Sequence, residues 1–222
     1  RHRLGDGALH PGGVWQLLDR ALAGRPVRSR FPRARWAVVL WLTALLVRPG
    51  VSLSRPAEIG GVEFAPSFSL VNEDLQLVGA GVLRWKVLFR AYASAFYLPA
   101  GVTPGDWPTD VAKCLAIHYF WDIPKEKFGP AGLTVLQRMY PPDQLEAMRE
   151  PLQRIDQAYV DIREGDRYAL AYTPGRGTTL LHNGRPLVTI PGAEFARLYF
   201  SIWLGSDPVD KTLRDHLLGG GA

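Results

Sequence analysis

The sequence predicts an α+β fold, an antiparallel sheet with its helices packed on one face. Three observations lead there. Apolar residues alternate with period two from about residue 62 to 121, and between 125 and 160 the spacing changes to threes and fours. Short strands joined by turn residues then return before two closing helices. Strands and helices thus come in separate runs, unlike the one-by-one alternation of a parallel α/β sheet.

The elements follow in order. Val62–Phe68, Leu70–Val78 and Val82–Leu98 read as strands, and Gly101–Pro108 is a turn-rich connection before a strand over Lys113–Trp121. A short helix is predicted from Lys125 to Met139, with Gly129-Pro130 interrupting its early part. Leu145, Met148, Leu152, Ile155 and Tyr159 form the stripe of an amphipathic helix, which Pro151 should kink or split. Arg167–Thr173, Thr178–His182 and Pro186–Ile190 read as a meander, turned first by Pro174–Gly177 and then by Asn183-Gly184. Asn-Gly is a strong hairpin signal because a type I′ turn needs positive φ at both centres. Pro191 opens a helix carrying Phe195, Leu198, Tyr199 and Ile202 on one stripe, stopped by Gly205. Asp207-Pro208 starts the last helix, with Asp207 as its cap and Gly219 as its stop.

Charge divides the chain in two. Residues 1–55 hold ten arginines, no lysine and two acids, Asp6 and Asp19, a balance of +8, whereas the remainder balances to −3. The high pI belongs to the leader, and the folded part gives no electrostatic reason to expect nucleic acid. Within the leader, Arg28, Arg30, Arg33 and Arg35 precede the apolar run Trp36–Val47. Twelve residues fall short of the ~20 that span a bilayer and match a secretory h-region. Ser52 and Ser54 are spaced like a cleavage site, although Arg48 and Pro49 follow the run awkwardly. We therefore expect residues 1–54 to be an N-terminal extension with a signal peptide, and residues 55–222 to be one exported, periplasmic domain. Membrane contact is expected only through this segment, if it stays uncleaved. The chain opens on Arg1 and its only methionines are Met139 and Met148, so its start is expected to be incomplete or misassigned. The lone Cys114 forbids an internal disulfide and any multi-cysteine zinc site.

Residues 79–99 carry the most chemistry. From Leu83 the odd positions form an almost unbroken apolar file, while the even positions mix Arg84, Lys86, Arg90, Tyr92 and Ser94 with apolar groups. On one continuous strand Arg84 and Tyr92 would emerge on the same face. A guanidinium fork binds a carboxylate bidentately and a phenol adds a donor to the same oxygens. Such a pair would fix the anionic head of an apolar ligand.

The same stretch, Gly79-Ala-Gly-Val-Leu-Arg with a basic residue and Tyr97-Leu98 following, resembles the chalcone isomerase-like family in its bacterial branch. The ending Ile190–Gly205, then Asp207-Pro208 and Leu217-Leu-Gly219, is similar to that branch's ending. The resemblance covers roughly residues 58–219 and implies an open-faced β-sandwich, an antiparallel sheet covered by a helix layer. It also implies that Arg84 and Tyr92 take a fatty-acid carboxylate, with Arg90 matching a structural basic position and Phe128 and Ile202 lining the tail.

The family's isomerases use an arginine on a phenolate nucleophile, a threonine and a tyrosine on the developing enolate, and an asparagine and a hydroxyl on the far end of the substrate. Carried over, Arg84 stands for the arginine, Tyr92 for the threonine and Phe128 near the tyrosine. Thr134 or Val135 falls near the asparagine, and Ile202, or Ser201 after a one-residue slip, at the late hydroxyl. Losing several donors together argues against flavonoid chemistry, because the rate comes from stabilising developing charge. The expected function is non-catalytic binding of a fatty acid or similar amphipathic carboxylate. An intramolecular lyase or isomerase of unknown substrate is the alternative, as is a haem-binding protein using His118.

Other signals are weaker. His118 stands alone in a strand, where a structural role is commoner than ligation, and no pair of histidines has metal spacing, so no metal is expected. Gly79-Ala-Gly81 lacks the third glycine and following helix of a dinucleotide fingerprint. Tyr119 and Trp121 read as core.

Overall fold

In the computed structural model residues 56–70, 73–85 and 89–220 are described. The expected signal peptide and leader, 1–54, lie outside them.

A small hairpin pairs β1 (Ala57–Ile59) with β2 (Val62–Phe64). A seven-stranded antiparallel meander follows, with every strand beside its sequence neighbour: β3 (Ser67–Leu70), β4 (Glu73–Trp85), β5 (Phe89–Pro99), β6 (Lys113–Tyr119), β7 (Arg167–Thr173), β8 (Gly177–His182) and β9 (Arg185–Ile190). Between β6 and β7 lie α1 (Phe128–Leu136), α2 (Pro142–Ala147) and α3 (Arg149–Ala158). After β9 come α4 (Ala193–Leu204) and α5 (Lys211–Leu217). The α+β class and the helix layer on one sheet face are as the sequence predicts.

The sheet separates two apolar layers. Tyr92, Phe96 and Leu98 of β5 join Leu115 and Ile117 of β6 and the buried faces of α1, α3, α4 and α5. Ala93, Ala95 and Tyr97 of β5 point the other way, against Val62 and Phe64 of the small hairpin. Period-two alternation sends neighbours to opposite faces, so β5 is dry on both sides. That is why Ala91 to Leu98 form an unbroken buried run.

Two expected strands resolve differently. Val62–Phe68 is broken at Ala65-Pro66 into β2 and β3, which belong to different sheets. Proline cannot donate to a ladder, and the break falls there. Val82–Leu98 is two antiparallel strands rather than one, since Trp85 pairs with Phe89; residues 86–88 lie outside the described residues. The ladder also slips twice. Val78 is an extra residue on β4, between the pairs Leu77–Tyr97 and Gly79–Phe96, and Ala91 is an extra residue on β5.

Helix ends follow local chemistry. The predicted stripe splits at Met148 (φ −100°, ψ 10°) into α2 and α3. Pro151 then falls in the first turn of α3, where its missing N–H costs no intrahelical bond. The cap of α5 is Asp210, not Asp207; its carboxylate accepts the Leu213 N–H at 2.6 Å. Asn183 (φ 48°) and Gly184 (φ 78°) have the positive φ that the β8–β9 turn demands. Gly79-Ala-Gly81 is a packing surface rather than a turn, since a Cβ on Gly79 would lie 2.1 Å from the His216 carbonyl oxygen. Glycine there lets α5 lie directly on β4.

Candidate functional site: a phenol-lined cavity under the helix layer

The helix-covered face of the sheet is not completely filled. A cavity of about 100 Å³ lies between β4–β8 and helices α1 and α4. Its floor is Leu83, Ala91, Ile117 and Leu170 from the strands, and its roof is Phe128, Ala131 and Val135 of α1 with Ile202 of α4. Every wall is apolar except for five tyrosines, Trp203 and Lys127.

The tyrosines are bonded unequally. Tyr168 of β7 is satisfied, since its hydroxyl accepts from the Val160 N–H and donates to the Val160 carbonyl, both at 2.9 Å. Tyr92 of β5 accepts from the Trp203 indole N–H at 3.0 Å. Tyr159, just past α3, and Tyr199 of α4 share one hydrogen bond of 2.6 Å. Tyr119, at the end of β6, makes no side-chain hydrogen bond among the described residues, although it is only 5% exposed. The rings hold each other in place. Phe128 stacks on Tyr159 at 4.7 Å and meets Tyr119 edge-on at 5.8 Å, and Tyr92 meets Tyr119 edge-on at 5.7 Å.

Burial pushes the phenols of Tyr92, Tyr119, Tyr159 and Tyr199 well above their ordinary range. For Tyr92 the Trp203 hydrogen bond opposes this only in part, and Asp210 adds to it. For Tyr119 the neighbouring phenols of Tyr159, Tyr92 and Tyr168 add to the same effect. All four therefore stay neutral donors at physiological pH, because a low dielectric disfavours the phenolate.

Of the residues proposed from sequence, Tyr92, Phe128 and Ile202 line this one cavity. Arg84 does not join them. Leu83 faces Tyr92 across the ladder and Arg84 faces Arg90, whose guanidinium lies 4.7 Å over the Phe120 ring on the hairpin side of the sheet. Arg84 is exposed on that opposite side. The shared face expected for Arg84 and Tyr92 rested on one continuous strand, and the antiparallel pairing of β4 with β5 and the bulge at Ala91 remove it. Arg90 is structural as expected, donating to the Gly60 carbonyl and so pinning the small hairpin.

His118 also lies on the hairpin side, edge-on to Phe120. Burial, then the charge of Arg167, lowers its pKa. Among the described residues no three His, Cys, Asp or Glu side chains gather as a metal site needs. Sequence reasoning missed Tyr168 and Lys127, placed Tyr159 and Tyr199 only on helix stripes, and read Tyr119 as core. The tyrosines stand out in the sequence as phenols among apolar residues, but nothing local shows that they converge.

A family profile described as chalcone isomerase-like matches residues 56–219, and the chain belongs to that family. No curated protein matches it by sequence. Among solved structures it is similar to a fatty-acid binding protein of Arabidopsis thaliana, with a TM-score of 0.56 and 15% identity over 72% of this chain and 92% of that one. At that identity the likeness shows the fold alone.

Proposed function

We propose that this protein binds, without transforming, a fatty acid or similar amphipathic carboxylate in the cavity under its helix layer. The observation that carries the reading is the lining itself. It offers apolar walls for a chain and neutral hydroxyls for one polar end, with no histidine, carboxylate or thiol among the described lining residues to move a proton. The fatty-acid binding title of the similar Arabidopsis structure is in keeping with it. Export to the periplasm is the companion proposal, resting on the leader's apolar run.

Size limits the ligand. Ligand pockets commonly hold ~300–1,000 Å³, and this one holds about 100 Å³. A short chain fits with little change, whereas a long one requires α1 to shift. The first turns of α1 carry Gly129, Pro130 and Gly132, a weak helical stretch suited to such movement. Titrating the protein calorimetrically with saturated fatty acids of six to sixteen carbons tests the proposal. Saturable one-to-one binding with an affinity optimum in chain length supports it; no heat with any member, and a clean mass spectrum of extracted protein, overturns it.

A further inference from the structure

We propose that Tyr119 and Lys127, not Arg84, hold the ligand's head, which is therefore a carboxylate seated at the phenol cluster. This rests on the binding reading above and assigns its polar contacts.

A phenol has one proton to give, and a phenol that opens onto an apolar cavity offers that proton to whatever occupies it. Tyr168 gives its proton to Val160. Tyr92 receives from Trp203, and no described acceptor takes its own proton. Of Tyr159 and Tyr199 one donates to the other, which leaves one proton over. Tyr119 has neither donor nor acceptor among the described residues. The cluster thus has three hydroxyl protons to place, and the lining has no carboxylate to receive them. What fits is a group rich in acceptors and free of donors. An ionised carboxylate is such a group, with lone pairs for several donors at once.

Charge makes the choice narrower. Lys127 is the one formally charged residue among the described lining residues. It stands half-buried, directly before Phe128, whose ring touches Tyr119 and Tyr159. No hydrogen bond or ion pair engages its side chain among the described residues. A cation in the lining of the same cavity as surplus phenol donors would neutralise an anionic head that neutral hydroxyls could only solvate. Leu83 occupies the position across from Tyr92, so no other cation faces the cluster from β4.

Calorimetry of the full chain with decanoate, decan-1-ol and decylamine separates head from tail. Wild type should prefer decanoate to decylamine by at least tenfold. Lys127→Met should weaken decanoate about tenfold and decan-1-ol less than twofold, with Lys127→Arg restoring most of the loss. Tyr119→Phe keeps the ring packing, and should weaken both oxygen ligands by about five- to tenfold. Arg84→Met should change none of them. The assignment fails if Lys127→Met and Tyr119→Phe both retain wild-type decanoate affinity, or if Arg84→Met is the variant that loses it. If wild type binds the alcohol and the acid equally, the carboxylate is wrong while the cavity stands. Failure to bind any of the three, or their six-carbon counterparts, ends the ligand reading itself.

Discussion

The two faces of the sheet are built from the same strands and packed to different ends. On the hairpin face β5 presents Ala93 and Ala95, small residues that let β1–β2 lie close in a second apolar cluster. Two arginines clamp that hairpin: Arg90 reaches the Gly60 carbonyl, and Arg167 reaches the Glu63 carbonyl at 3.2 Å while lying over the Phe64 ring. On the helix face β5 presents Tyr92 and Phe96, large residues that hold the helices off and leave a cavity lined by hydroxyls. Arg90 and Arg167 thus serve the hairpin face, while the phenols of the helix face are left to line the cavity. The rule is that a mixed strand face does not imply a mixed site. Which groups meet is decided by where the chain reverses.

Four substitutions test that division. Gly79→Val should have the largest effect, because the new side chain would run into the backbone of α5 at His216 and Leu217. A loss of about 3 kcal/mol or more is expected, read from the urea midpoint. Phe64→Ala empties a fully buried position under the hairpin and should cost roughly 3 kcal/mol while leaving decanoate affinity within twofold. Loss of binding there would break the separation of the faces. Ala131→Phe projects a ring into the cavity. It should lower decanoate affinity more than tenfold while stability changes by only ~1 kcal/mol, and retained affinity would place the ligand elsewhere.

The smallest effect concerns a cation on the helix face away from the cavity. Lys113 of β6 is buried, donates to the Thr109 carbonyl at 2.8 Å and lies over the Tyr172 ring at 4.8 Å. Burial pulls its pKa from 10.5 down to about 8, with Asp110 opposing in part. The unfolded chain therefore binds more protons than the folded one between those values, so this residue makes stability rise with pH through that window. Buried Cys114 and the tyrosines, all shifted upward, act in the opposite sense at higher pH. The difference between wild type and Lys113→Met should thus grow in favour of wild type from pH 8 towards 9. A flat difference would mean that Lys113 is solvated in the folded state.

Much of the architecture was legible in the sequence, and for identifiable reasons. Asn183-Gly184, the alternation of β6 to β9 and the stripe of α4 are local signals that tertiary packing reinforces. The reversal after Trp85 was not legible. Trp85-Lys-Val-Leu-Phe-Arg90 contains no Gly, Pro, Asn or Asp, and its alternation runs on undisturbed between the two strands. From that followed the misplaced partnership of Arg84 with Tyr92. Asp207 and Asp210 are both plausible caps three residues apart, and only the Leu213 N–H decides between them. Tyr119, Tyr159 and Tyr199 come from three distant segments, and their convergence has no local signature. Phe128 and Ile202 reached the cavity wall because the family likeness placed them, not because of any spacing.

The central claim is that a ligand sits on the helix face, among Tyr119, Phe128 and Ile202. Intermolecular NOEs between ¹³C-labelled decanoate and the bound protein test it directly. The account predicts contacts from the decanoate methylenes to the Phe128 ring and the Ile202 methyls, with the C2 methylene nearest the Tyr119 ring. Contacts instead to the Phe120 ring, or to side chains beside Arg84 and Arg90, would put the ligand on the wrong side of the sheet and contradict it.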